Sequence, residues 1–150
     1  MSKNLTPKDG IKVIGRAKQP KKEKTTLINS PSHSQLCKAI SEYMKLKHPD
    51  KLFIHIANEG NLQTMGKLKA EGLLSGVYDY FLAHVKKTHL EGGSWNFIPG
   101  LWIEVKVKKD KLSKAQLSFR ERALEAHYSV GEVHSFEEFE KEIEDYLGDS

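Results

Sequence analysis

Asp79, Glu104 and Lys106 are the residues whose types and spacing could do chemistry together. Glu104 and Lys106 flank Val105 in the apolar run LWIEVKV at 101–107. Side chains two apart in a strand share a face, so Glu104 and Lys106 point one way and Ile103, Val105 and Val107 the other. A carboxylate or ammonium buried without a partner is costly. If a strand over 77–85 pairs antiparallel with one over 101–107, Asp79 lies near Glu104, at the end away from the connecting loop. Two converging carboxylates repel unless a cation or a proton intervenes, and a hard divalent cation such as Mg²⁺ takes oxygen ligands of this kind. Such an ion polarises a phosphoryl oxygen and acidifies bound water. A lysine beside it orients that water or neutralises charge developing on the phosphate. The bland alternative is an exposed strand face with a Glu104–Lys106 ion pair, which contributes about 0–1 kcal/mol and needs no function.

The elements that must position these groups follow from periodicity. Leu36, Ile40, Tyr43 and Met44 give one apolar face to a helix that starts near Ser32, where Ser32 and Gln35 fit a capping box, and that Pro49 ends. FIHIAN at 53–58 alternates and reads as a strand, VYDYFLAHV at 77–85 as a second and LWIEVKV as a third. Between them, a short helical turn is expected around Lys67–Glu71, and 86–100 reads as a long loop turning at Gly92–Gly93. Ser113 and Gln116 cap a helix with Leu112, Ala115, Phe119, Ala123 and Ala126 on one face and Gly131 as its stop. EVHS at 132–135 is a short fourth strand. Ser135 and Glu138 cap a last helix carrying Phe136, Phe139, Ile143 and Leu147. A hairpin followed by a strand–helix–strand crossover predicts an α/β fold, a mixed sheet flanked by helices.

Composition bounds the function classes. A chain of 150 residues makes one ordinary domain, and 38% hydrophobic with 29% charged residues supports a packed core. No run approaches eighteen apolar residues, so no membrane span is expected. The start, MSKNLTPKDG, lacks the apolar stretch of a secretory signal. The single cysteine, Cys37, excludes an internal disulfide framework and a cysteine-clustered zinc site, and a reducing, cytoplasmic setting is the simplest expectation. The net charge of +4 is uneven. Residues 1–30 hold eight Lys/Arg against Asp9 and Glu23, and 136–150 hold seven acids against Lys141. Residues 1–28 read as a flexible basic arm, in which IKVIG at 11–15 is a possible edge strand, and 29–150 as the folded domain. A basic arm on a mildly basic body suits a polyanion.

The stretches MGKLKAEGLLSGVYDYFLAHV and GLWIEVKVKKDKLSKAQLSF resemble the VRR-NUC domain family of the PD-(D/E)XK, or restriction-endonuclease-like, nucleases. The residues that carry the resemblance are Gly66-Lys67-Leu68-Lys69, Gly76-Val77-Tyr78-Asp79, Glu104-Val105-Lys106 and Leu112-Ser113-Lys114-Ala115-Gln116, with Asn58-Glu59-Gly60 as a short loop after the first strand. The likeness runs from about 32 to 140. Tyr78 stands where that family usually has proline. The family often has an acidic residue near the start of the first helix, where this chain offers His33 and Gln35.

The resemblance implies a restriction-endonuclease-like mixed sheet flanked by helices and a Mg²⁺- or Mn²⁺-dependent endonuclease. It assigns Asp79, Glu104 and the Val105 carbonyl to the metal, Lys106 to the attacking water and Gln116 to support. Lys67 and Lys69 would contact phosphate or form a solvated turn, and the capping box alone also explains Gln116. The resemblance further implies a homodimer acting on branched DNA such as a four-way junction. Trp95, Phe97, Ile98 and Leu101 form the apolar cluster expected at its interface, with folding back on their own sheet as the alternative. The seven histidines show no H-x-x-x-H pair, and His55 and His84 read as core or edge residues. A DNA-binding module with a degenerate nuclease fold is the rival from another class.

Overall fold

The structure, a computed structural model, describes residues 31–57 and 62–148. The basic arm at 1–28, with its IKVIG segment, and the Asn58–Gly60 loop lie outside the described residues.

Helix α1 (His33–Lys47) starts on the expected complete capping box of Ser32 and Gln35, and Lys45 and Lys47 in its last turn complement the helix dipole. It ends just before His48, the residue whose helical conformation Pro49 disfavours. Strand β1 (Phe53–His55) pairs antiparallel with β2 (Tyr80–Leu82), and β2 pairs antiparallel with β5 (Leu101–Val105). Strand β6 (Ser129–Val133) runs parallel to β5 after the crossover through α3 (Lys114–Glu125), giving a mixed sheet of order β1-β2-β5-β6. The expected mixed sheet is therefore present.

Helices cover both faces. Leu36, Ile40 and Met44 of α1 and Phe139, Ile143 and Tyr146 of α4 (Phe136–Gly148) pack with Tyr80, Leu82, Leu101, Ile103 and Val105 on one side. Phe119 and Ala123 of α3 pack with Tyr78 and Trp102 on the other. This two-sided burial explains why LWIEV is apolar almost throughout and makes its one charged member conspicuous.

Several boundaries differ from expectation. Helix α2 (Leu62–Ala70) is longer than the turn foreseen near Lys67–Glu71. The first two strands are shorter than 53–58 and 77–85. Residues 86–100 do not form an open loop. Lys86–His89 (β3) and Trp95–Ile98 (β4) pair as a separate antiparallel hairpin closed by Leu90–Ser94. The stretch KKTH has no apolar alternation because backbone pairing holds it, with little burial. Gly131 does not stop α3. His127, at φ 63, ends it with a Schellman pair, Tyr128 N–H to Ala123 C=O and His127 N–H to Leu124 C=O. The chain is thereby freed to start β6 at Ser129 and not at 132. At the start of α4 the Ser135 hydroxyl accepts from the Glu138 N–H as expected, but the Glu138 carboxylate reaches back to the His134 N–H.

Candidate active site

Glu104 lies on the α3-facing side of the central strand and is 2% exposed, the single buried charged side chain among the described residues. Its Oε1 accepts from Lys106 Nζ at 2.8 Å and from the Gln116 side-chain amide. Lys106 Nζ also donates to Gln116 Oε1 at 3.0 Å. That same oxygen accepts the Ser113 N–H at 2.9 Å, while the Gln116 N–H donates to Ser113 Oγ at 3.2 Å. The two readings of Gln116 thus coexist: one side chain closes the cap of α3 and bridges Glu104 to Lys106. The ion pair is therefore not an exposed strand ornament. Burial pushes the Glu104 carboxyl above the usual carboxylate range, Lys106 opposes that rise, and the negative charge of Asp79 adds to it. Glu104 Oε2 is buried with no hydrogen-bond partner.

Asp79 sits one residue before β2. The register Tyr80↔Ile103 makes it the next cross-strand neighbour of Glu104. Its Oδ2 accepts the Val105 N–H at 3.0 Å, so the residue between Glu104 and Lys106 holds the second carboxylate in place. His33, from the first turn of α1, brings Nε2 to 3.4 Å from the same oxygen. Its ring also lies 3.7 Å from Cys37 Sγ, one turn on. The first helix therefore does approach the site, through an imidazole in place of a carboxylate. Gln35 does not, because its side chain is committed to the cap. Proximity of His33 to Asp79 was not legible in the chain: the two are 46 residues apart, and the one signal was the place of His33 at the head of a capped helix.

A groove of about 230 Å³ opens beside these groups, lined by Leu73, Leu74, Gly76, Asp79 and Gln116 among others. Gly76 has φ +80, and a Cβ there would fall 2.3 Å from the Ala115 carbonyl carbon and 2.6 Å from the Gln116 nitrogen. Only glycine lets the chain before Asp79 press this closely on the first turn of α3. Tyr78, in the position of the family's proline, is buried against Phe119 with ring centroids 5.3 Å apart and fixes α3 from below. Lys67 and Lys69 are exposed in the last turn of helix α2, not in a turn. Lys67 faces Glu71 at 3.8 Å, and neither lines the groove.

The donor set suits a hard cation. Asp79, Glu104 and the Val105 carbonyl are all oxygen donors, and the unpartnered Glu104 Oε2 is a buried acceptor lacking what a cation would supply. Among the described residues no three His, Cys, Asp or Glu side chains gather as a metal cage. That absence of a cage fits Mg²⁺ or Mn²⁺ better than zinc: Mg²⁺ is commonly held by one or two carboxylates together with water and substrate phosphate.

The apolar cluster foreseen at 95–101 is divided by the fold. Leu101 is fully buried in the core and Ile98 packs partly against it, as the fold-back alternative had it, whereas Trp95 and Phe97 stay exposed on the hairpin. No helix among the described residues is long and apolar enough to cross a membrane.

No family model and no curated protein matches the chain. Among solved structures, a VRR_NUC domain protein superposes with a TM-score of 0.64 at 15% sequence identity, over 81% of this chain and 92% of that one. With Asp79 and Glu104 on neighbouring strands of a mixed sheet flanked by helices, the chain has a VRR-NUC-like, restriction-endonuclease-like fold.

Proposed function

We propose that the chain is a Mg²⁺- or Mn²⁺-dependent endonuclease that hydrolyses phosphodiester bonds in DNA, with branched DNA such as four-way junctions as its substrate. The observation that carries this reading is Glu104: a carboxylate buried with one oxygen unpartnered, joined through the other to Lys106 and Gln116, with Asp79 next in register. A side chain kept only for stability would not be buried half-satisfied.

Asp79, Glu104 and the Val105 carbonyl would hold the cation, which supplies Lewis-acid polarisation of a phosphoryl oxygen and a more acidic water when bound. The rest falls to the chain's own groups. The Lys106 ammonium, held by Glu104 and Gln116, stands ready to orient a water and to offset charge gathering on the phosphate as the new P–O bond forms and the bond to the sugar oxygen breaks. Gln116 fixes the Lys106 rotamer, and α3, seated on Gly76, fixes Gln116. Cutting both strands of a branch calls for two such sites about a two-fold axis, so a homodimer belongs to the proposal. Labelled duplex, flap, splayed-arm and four-way-junction DNA, incubated with Mg²⁺, with Mn²⁺ and with chelator, test it. Metal-dependent cleavage strongest on branched forms is expected. DNA binding without cleavage under any metal would leave a binding module and refute the enzyme.

A further inference from the structure

The β3–β4 hairpin takes no part in that site, yet it is built for contact. Its register sets Lys87 opposite Phe97 and His89 opposite Trp95, so all four share one face. All four are exposed, Trp95 at 57% and Phe97 at 54%. The His89 and Trp95 rings meet edge to face at 5.0 Å. The base of the hairpin is fixed to the body. Lys86 Nζ donates to the Asp145 carbonyl at 2.9 Å, and the Tyr146 hydroxyl donates to the His84 carbonyl at 2.7 Å. A rigid arm therefore presents two aromatic rings and a cation to solvent, with Glu91 in the turn as the acid of the segment.

Two occupants suggest themselves, a second copy of the chain or a polyanion with flat rings. Two aromatic side chains at just over half exposure offer roughly 200 Å² of contact, against the ~800 Å² per partner of a standard interface. A two-fold copy would also set Lys87 close to its own image. Rings interleaved with a cation match instead the chemistry of unpaired bases on a phosphate backbone.

We propose that the outer face of the hairpin is a stacking platform for unpaired nucleic-acid bases, Trp95 and Phe97 taking the bases and Lys87 the adjoining phosphate. This rests on DNA being the substrate and adds which part of it the protein reads. Asp79 and Lys87 are eight residues apart, so at about 3.3 Å per residue the platform lies within roughly 26 Å of the carboxylates. At about 3.4 Å per nucleotide step, the single-stranded stretch begins no more than about eight steps from the cut.

Trp95 fluorescence reads the contact directly, since Trp102, the second tryptophan, is packed between Phe81 and Phe119. The full chain is titrated in chelator with a single-stranded oligonucleotide and with an abasic strand of equal length. Quenching by the base-bearing strand and little by the abasic one is expected. Trp95→Ala and Phe97→Ala should each weaken single-strand binding roughly 5- to 150-fold, with the mass by light scattering and the cleavage rate on saturating substrate unchanged. Equal responses to the two strands would overturn the proposal in favour of a phosphate contact. A halved mass in either variant would overturn it in favour of a subunit interface. Cleavage of branched DNA by a parent protein whose Trp95 emission never responds would overturn the platform alone, whereas absence of all DNA binding would overturn the nuclease reading with it.

Discussion

Replacing Lys106 by alanine separates the chemistry of the site from its stability. Lys106 is 13% exposed and Glu104 3% at the side chain, so the variant leaves a buried carboxylate with Gln116 as its donor. Breaking a buried ion pair costs about 3–5 kcal/mol. The groove beside the site admits water, so the lower end, about 3 kcal/mol, is expected, a large share of the ~5–15 kcal/mol total of a domain. The loss must depend on pH. Burial already raises the Glu104 carboxyl in the folded chain, and removing Lys106 raises it further. Between the unfolded value and this raised one the folded state binds more proton than the unfolded state, so stability falls as pH rises through that window. The cost is thus full above the raised value and fades as pH falls toward about 4.3, where unfolded Glu protonates as well. Urea unfolding of the parent, Lys106→Ala and Lys106→Ala with Glu104→Gln at about pH 5 and pH 8 measures this. The single variant should lose most at the higher pH, and the double variant should recover most of that loss. An equal loss at both pH values, or no recovery, would refute the buried pair. Where Lys106→Ala is folded, cleavage should still drop roughly 10²–10⁴-fold.

Gly76→Ala should displace the first turn of α3 and lower cleavage on the order of 10²-fold, since an error of about 1 Å in positioning has that effect; wild-type rates would show that the close approach at Ala115 does not set the site. Deleting residues 1–28, with their eight Lys/Arg, should flatten the slope of log affinity against log salt by up to about 0.9 per phosphate released, without changing cleavage at saturating DNA; an unchanged slope would make the arm a bystander. Mg²⁺ should raise the unfolding temperature of the parent but not of Asp79→Asn, because an amide is a poorer ligand for a hard cation than a carboxylate; equal shifts would take Asp79 out of the metal site.

How much of this was legible in the chain depended on the kind of force involved. The central strand was readable because burial on both faces wrote an apolar run around Glu104 and Lys106. Asp79 was placed beside Glu104 because an antiparallel pair has one register that buries Tyr80 and Leu82 with Ile103 and Leu101. Elements held by the backbone alone left no such pattern, and so the hairpin at 86–98 read as a loop. The left-handed residue at His127 gave no sequence signal of the kind a glycine gives, and β6 was placed late for that reason. Contacts between distant elements, such as His33 with Asp79, cannot be read from local spacing. The dimer cluster was overdrawn because large apolar residues in sequence were assumed to share a face, whereas Leu101 belongs to the core strand.

The most direct test of the central claim is the cleavage rate of Glu104→Gln on four-way-junction DNA at saturating Mg²⁺, with the variant shown folded and DNA-bound at parental affinity. The nuclease reading predicts that hydrolysis is abolished while binding persists, because the amide keeps the shape and the bonds of Glu104 but not its charge. Retention of more than about a tenth of the parental rate, well above the loss of order 10² or more that removing one electrostatic group from a catalytic site brings, would show that the buried carboxylate does not hold the metal.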